Sequence, residues 1–159
     1  FEEDIFDCMP NGKHSLERDV FPKLAEVRQL NGMQFDGYFI DAGTRESWVN
    51  AVSKCIDETR FTEGHTKANS WFANKSELIT NHLINNSMIG KEVFISDSIV
   101  SKSTILGNSK LGDNCEIIRS LIGENCEIGE NCILEDVIVD HNSTIPNDTK
   151  LRNCTWPID

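Results

Sequence analysis

Cations are scarce in this chain. Against 26 Asp and Glu stand only 15 Lys and Arg, a formal charge of −11. A surface of that sign repels polyanions, which excludes non-specific nucleic-acid binding and attraction to anionic membranes. Aromatics are sparse too, 8% of residues with a single Tyr, and no basic stripe interleaves with them as a nucleic-acid groove requires. No apolar run approaches the roughly 20 residues of a membrane-spanning helix, and no signal-peptide core opens the chain. The six cysteines, at 8, 55, 115, 126, 132 and 154, include no CxxC pair. His14, His65, His82 and His141 do not cluster with them, so a zinc site has no support. Without a secretory signal a disulfide framework is not expected, and a reducing, cytoplasmic setting is. The chain begins at Phe1 rather than Met, which suggests a fragment or a processed chain.

What is present suits folding. The 159 residues are 38% hydrophobic and 26% charged, enough for one ordinary domain or two small units. The first third reads as helix, short strands, helix. Ser15 can cap a helix with Leu16, Val20 and Leu24 on one face, a pattern that Pro22 interrupts or begins. Asn31-Gly32 and Asp36-Gly37 mark turns, with extended pieces at Met33–Phe35 and Tyr38–Ile40. Thr44 is a good N-cap for a helix whose stripe is Trp48, Ala51, Val52, Cys55 and Ile56, which makes Cys55 a packed thiol. Residues 59–76 lack a period and read as a linker, with Trp71-Phe72 covering the seam.

From Ile89 the chain repeats. Aliphatic residues fall at Ile89, Ile95, Val100, Leu106, Leu111, Ile117, Ile122, Ile128, Leu134, Val139, Ile145 and Leu151, in steps of five or six. Glycine follows at Gly90, Gly107, Gly112, Gly123 and Gly129. A compact residue follows four positions on, at Val93, Thr104, Cys115, Cys126, Cys132, Ser143 and Thr149. This predicts one strand per hexad, with the aliphatic side chain inward, and Gly or Asn at corners that need positive φ. Three hexads close a triangular coil, and coils stack by parallel pairing. About four coils result, or five if Leu78 and Ile84 join the series. Cys115, Cys126 and Cys132 then point into the coil interior, and Thr155-Trp156-Pro157 caps the last coil.

One stretch of the first half is suited to chemistry. In Phe35-Asp36-Gly37-Tyr38-Phe39-Ile40-Asp41-Ala42-Gly43-Thr44, an Asp at a strand end precedes a Gly turn and a capped helix. Such a carboxylate can hold a hard divalent cation or can hydrogen-bond its own turn. Taken with Ser15-Leu16-Glu17-Arg18-Asp19-Val20-Phe21-Pro22 and the hexads, the chain resembles the C-terminal part of sugar-1-phosphate nucleotidyltransferases. The mannose-1-phosphate guanylyltransferase branch looks nearest, and the resemblance runs over essentially the whole chain. It implies the left hand of the β-helix and an oligomer formed through it. It also implies GTP and a sugar 1-phosphate as substrates of the parent enzyme, and Mg²⁺ held in part by Asp41. Gly43 and Thr44 match the turn after that Asp and are read as structural. Glu17 and Arg18 also match, and are read as a solvated helix face or a local ion pair. The family's G-G-x-G-T-R-L loop, its first metal-binding Asp and the Lys of its E-K-P stretch have no match here. The chain is therefore read as a C-terminal fragment, inactive alone, with a catalytic-domain remnant at 1–58, a linker at 59–76 and a left-handed β-helix at 77–159.

Two rival readings share the coil. A hexapeptide acyltransferase would use a histidine as general base, and His141 lies within the regular coils, where a solvated corner is the simpler role. A purely structural module would serve assembly alone, since coil faces and strand ends invite covering.

Overall fold

The structure is a computed structural model that describes residues 2–37, 39–78 and 83–157. Tyr38 and His82 lie outside the described residues. The chain divides into two compact units, Phe1–Phe39 and Ile40–Asp159.

In the first unit a 3₁₀ turn covers Glu3–Cys8. The Ser15 hydroxyl accepts from the Arg18 amide, and the Ser15 amide donates to Asp19 Oδ2 at 2.8 Å. This reciprocal cap opens a wide π-type turn at Leu16–Val20, which runs into helix α1 (Phe21–Glu26) with Pro22 in its first turn. The Phe21 amide still bonds the Leu16 carbonyl, and Pro22, which has no amide to donate, sits where the wide turn gives way to the α-helix. The cap at Ser15 and the start near Pro22 are thus two parts of one helical run. Val20 is fully buried at its centre. Residues 33–37 and 39–40 form no strand. Pieces this short need a partner ladder to persist, and among the described residues none is hydrogen-bonded to them.

The second unit is a parallel β-solenoid of about five turns. Helix α2 (Arg45–Asp57) leads into it, held by a capping box in which the Thr44 and Ser47 side chains each accept from the other's amide. The solenoid has three faces. The first carries Ser70–Ala73, Met88–Ile89, Thr104–Ile105, Leu121–Ile122, Ile138–Val139 and Thr155–Trp156. The second carries Glu77–Leu78, Phe94–Ile95, Lys110–Leu111, Glu127–Ile128 and Thr144–Ile145. The third carries Leu83–Asn85, Ile99–Ser101, Glu116–Ile118, Ile133–Glu135 and Lys150–Arg152. Gly64–Lys67 adds an antiparallel strand to the first face through a hairpin at Ala68-Asn69. Both turn residues have positive φ, 50° and 55°, the backbone that a two-residue hairpin favours. Part of the stretch read as a linker is therefore sheet: Ser70–Ala73 pairs with Met88–Ile89, and Phe72 is buried in the solenoid core.

The inward columns explain the period. Phe72, Ile89, Ile105, Ile122, Val139 and Trp156 stack on the first face. Leu78, Ile95, Leu111, Ile128 and Ile145 stack on the second. Ile84, Val100, Ile117, Leu134 and Leu151 stack on the third. Passing from third to first face always takes one residue fewer than a hexad, as in Ile117 to Ile122, so most coils advance 17 residues. This short corner corrects the expected series at one point. Ile105 is the fully buried residue and Leu106 is only half-buried. By the same shift Ser103, not Thr104, fills the compact inward position.

At the corners the expectation holds for asparagine and fails for glycine. Positive φ belongs to residues such as Asn108, Asn114, Asn125, Asn131 and Asn142, between 55° and 61°, and the solenoid glycines do not adopt it. Glycine is required instead by the closeness of the next coil. A Cβ on Gly123 would lie 2.6 Å from the His141 amide nitrogen, and one on Gly90 would lie 2.7 Å from that of Gly107. Backbone cannot yield as a side chain would, so Gly123→Ala is expected to lower stability by about 1–3 kcal/mol, the usual cost of overpacking. Denaturant unfolding of the two proteins measures it.

Candidate functional site

The interior offers little chemistry. Its polar positions form ladders along the stack. The Ser70 hydroxyl accepts from the Ser87 amide, Ser87 from Ser103, Ser103 from Ser120, and Ser120 from Val137. The other two corners use Ser and Cys interchangeably. Ser98 and Ser109 donate to the Gly112 and Gly123 carbonyls at 2.9 and 2.8 Å. Cys115, Cys126 and Cys132 donate likewise to the Gly129, Asp140 and Pro146 carbonyls at 3.0–3.2 Å. The three thiols are buried, as the hexad pattern expects. Burial pushes Cys115 up to about 11 and raises Cys126 as well. A thiolate is the nucleophile and metal ligand, so Cys115 and Cys126 are held in their inert form. Cys55 is half-buried on α2.

His141 has a corner task. Its Nδ1 accepts from the Glu124 amide at 2.9 Å. Asn147 does the same one hexad later, its Oδ1 accepting from the Glu130 amide at 3.0 Å. The lone pair that a general base would use is committed to backbone, and a carboxamide serves equally well. At the far end, Trp156 packs on the core and its Nε1 donates to the Thr144 carbonyl at 3.2 Å, so the tail covers the last coil.

The second unit presents Asp41 in a turn just before α2. Asp41 is exposed, and its Oδ1 accepts from the Gly43 amide at 2.9 Å. Oδ2 takes no hydrogen bond among the described residues. The carboxylate therefore does what a turn Asp does and still has an oxygen to offer. One oxygen is a fraction of the six that Mg²⁺ demands, and among the described residues no three His, Cys, Asp or Glu gather into a metal site. Asp41 alone therefore makes no metal site, and any ion it held would need its other ligands from elsewhere. Glu17 and Arg18 belong to the first unit, on the turn that Ser15 caps, and both are exposed.

Helix α2 fixes this turn to the solenoid. Trp48 Nε1 donates to Thr104 Oγ1 at 3.0 Å, which satisfies a hydroxyl on a residue only 2% exposed. The Arg45 guanidinium donates to the Asp136 carbonyl, and its Nε lies 3.5 Å from Asp136 Oδ1. Arg119 grips the same carboxylate at 3.0 and 2.6 Å and also reaches Glu135 at 2.9 Å. Arg152 completes the row, 3.2 Å from Glu135. Hydrogen bonds from Arg119, helped by the charge of Arg45, hold the Asp136 carboxyl below the usual carboxylate range. Arg119 is in turn driven further toward its cationic form by Asp136 and Glu135. None of these groups stands out in the sequence. The coil period could have paired Arg119 with Asp136 and Glu135 with Arg152, each 17 apart. The helical stripe puts Trp48 on the packed face, but nothing local names its partner or that of Arg45, which lie 56 and 91 residues away.

Comparison with known proteins follows the solenoid. The family model described as "GlmU-like, C-terminal hexapeptide" matches residues 70–152, just over half of the 159. Two curated relatives are the glucose-1-phosphate adenylyltransferases of Desulfitobacterium hafniense strains DSM 10664 / DCB-2 and Y51. Each is 33% identical over 87 residues, covering 51% of this chain and 22% of the relative. The chain thus spans about a fifth of the length of these relatives. Their name specifies glucose and an adenylyl group, where the sequence resemblance pointed to mannose and a guanylyl group.

The buried thiols give a pH signature. A thiol whose pKa is raised on folding stabilises the fold below its unfolded value, near 8.5, and that stability drains away as pH climbs through the folded value of about 11. The unfolding midpoint is expected to fall between pH 8.5 and 11, and to fall less in the C115S/C126S variant, because Ser fills the same ladder at Ser98 and Ser109. Urea titrations across that range check it.

Proposed function

The chain belongs to the GlmU-like, C-terminal hexapeptide family, and from that premise we propose that it is the C-terminal part of a sugar-1-phosphate nucleotidyltransferase. In the parent reaction a phosphate oxygen of the sugar 1-phosphate attacks the α-phosphorus of a nucleoside triphosphate. A new P–O bond forms, the α–β bridge breaks and pyrophosphate leaves. Asp41 would contribute one carboxylate oxygen to a Mg²⁺ ion, and such an ion, when bound, would supply charge to offset that developing on the phosphates. The observation that carries the reading is the mounting of the Asp41 turn and its capped helix on a family-matched solenoid. In the parent enzyme Asp41 would orient the ion beside the reacting phosphates, while the remaining ligands and the nucleotide loop come from residues this sequence does not contain. The six unpaired thiols suit a reducing, cytoplasmic setting.

Two substrate pairs are in contention, each favoured by a separate observation. The Ser15–Pro22 and Gly37–Thr44 stretches favour GTP with mannose 1-phosphate, the reading first drawn from the sequence. The adenylyltransferase relatives favour ATP with glucose 1-phosphate. Pyrophosphate release by the protein encoded by the whole reading frame, with Mg²⁺ and each of the four nucleotide–sugar combinations, is expected to single out one combination. The 159-residue chain alone is expected to release none. Turnover by this chain at an enzyme's rate overturns the fragment reading, and no turnover by the whole product in any combination overturns the activity.

The solenoid's own task is self-association. Leu83 and Ile99, 63% and 41% exposed, sit on the third face beside a groove of about 300 Å³ that Asp97 and Glu116 also line. Lys150 and Arg152 lie at the other end of this face. A second copy laid antiparallel sets those cations against the acids and covers the apolar pair. Sedimentation is expected to show an oligomer that L83D/I99D dissociates. A wild-type monomer at high concentration counts against this.

A further inference from the structure

Helix α2 and the solenoid stack have matching lengths. Thirteen helical residues rise about 20 Å, and four steps between five coils span about 19 Å at strand spacing. The helix meets the stack at three heights along that distance. Arg45 in its first turn reaches Asp136 at the corner between the fourth and fifth coils. Trp48 reaches Thr104 in the third coil. Cys55 and Ile56, near its end, line a cavity of about 200 Å³ with His65 and Trp71, beside the first coil. The helix therefore lies along the first face, parallel to the stacking axis, and its N-terminus is at the end away from the hairpin.

Arg45 is misplaced for helix stability alone. A cation in the first turn faces the positive end of the macrodipole, where anions are preferred. Exposed ion pairs also contribute little to folding. Yet here five charges alternate in sign, in the order Arg45, Asp136, Arg119, Glu135, Arg152. Arg119 and Asp136 are corner residues with φ of 46° and 58°, and Glu135 and Arg152 are on third-face strands paired with each other. The anchor is thus built on rigid backbone. From Arg45 back to Asp41 the links are short and continuous. The Ser47 amide donates to Thr44 Oγ1 at 3.1 Å, the Thr44 amide to Ser47 Oγ at 3.0 Å, and the Gly43 amide to Asp41 Oδ1 at 2.9 Å.

We propose that Arg45, with Asp136 and Arg119 behind it, positions the Asp41 carboxylate, so that the solenoid is the mount on which this turn is aimed. The importance of the aim rests on the reading of Asp41 as a magnesium ligand. The positioning itself does not. Asp41 is the group that would touch the ion; Arg45, Asp136 and Arg119 act only through it.

The test uses the 159-residue chain, ¹⁵N-labelled, as wild type, Arg45→Met, Asp136→Asn and the conservative Arg45→Lys. Backbone order parameters of the Gly43 and Thr44 amides are expected near 0.85 in the wild type. They should fall below about 0.6 in Arg45→Met and Asp136→Asn, the range of flexible backbone, and lie between in Arg45→Lys. The solenoid amides should not change, which shows that the variants fold. Low order at Gly43 in the wild type, or unchanged order in both variants, overturns the proposal. Mn²⁺, a paramagnetic stand-in for Mg²⁺, separates the two readings. It is expected to broaden the Gly43 resonance, with half-effect at a three-fold or more higher concentration in Arg45→Met. A merely structural Arg45 would leave that concentration unchanged and so overturns the functional part. Absence of broadening in the wild type, with the order parameters behaving as expected, overturns the magnesium reading and upholds the mount.

Discussion

Everything in the second unit follows from one contact: the backbone of each coil lies a strand spacing, about 4.8 Å, above the next. Each inward position must then accept a side chain like the one above it. Ile89, Ile105 and Ile122 share a column for that reason, and Ser87, Ser103 and Ser120 share another. The constraint reaches outward as well. Gly90, Gly112 and Gly123 are glycines because a Cβ would strike the neighbouring backbone, not because the chain needs a left-handed turn there. Left-handed conformation is distributed among Asn and charged residues whose side chains leave the corner freely.

The same stacking accounts for groups that look chemical in a sequence. Cys115, Cys126 and Cys132 take the place of serine in a hydrogen-bond ladder, and burial favours the protonated form of Cys115 and Cys126. His141 holds a corner amide as Asn147 does. The interior thus serves cohesion, and the chemistry we propose for the chain lies outside it, at the turn that leads into α2. There a single carboxylate is presented with one oxygen tied to its own backbone. A lone ligand on a flexible loop would be of little use to a metal, since coordination depends on fixed oxygen positions. A capped helix laid along a rigid prism is the kind of support that such a ligand requires.

Legibility divided along the range of the interactions. The Ser15 cap, the Thr44 cap and the stripe on α2 depend on neighbours within a turn or two, and the sequence displays them. Short extended pieces at 33–35 were misleading, because extended local preference does not supply a partner strand. The hairpin at Ala68-Asn69 was hidden for the opposite reason: its residues carry no strong turn signal, and pairing with Met88–Ile89 decides the conformation.

By itself, the sequence determined that the back half winds into a three-sided stack with branched aliphatics and small thiols inside. A period of five or six residues admits few other ways to bury one apolar residue per step. The tertiary structure decided where each coil is shortened, and so that Ile105 and not Leu106 faces the core. It also decided that α2 lies along the first face, joined by Arg45 to Asp136 and by Trp48 to Thr104. Those contacts join residues dozens of positions apart, and only the closing of the coils brings them within reach.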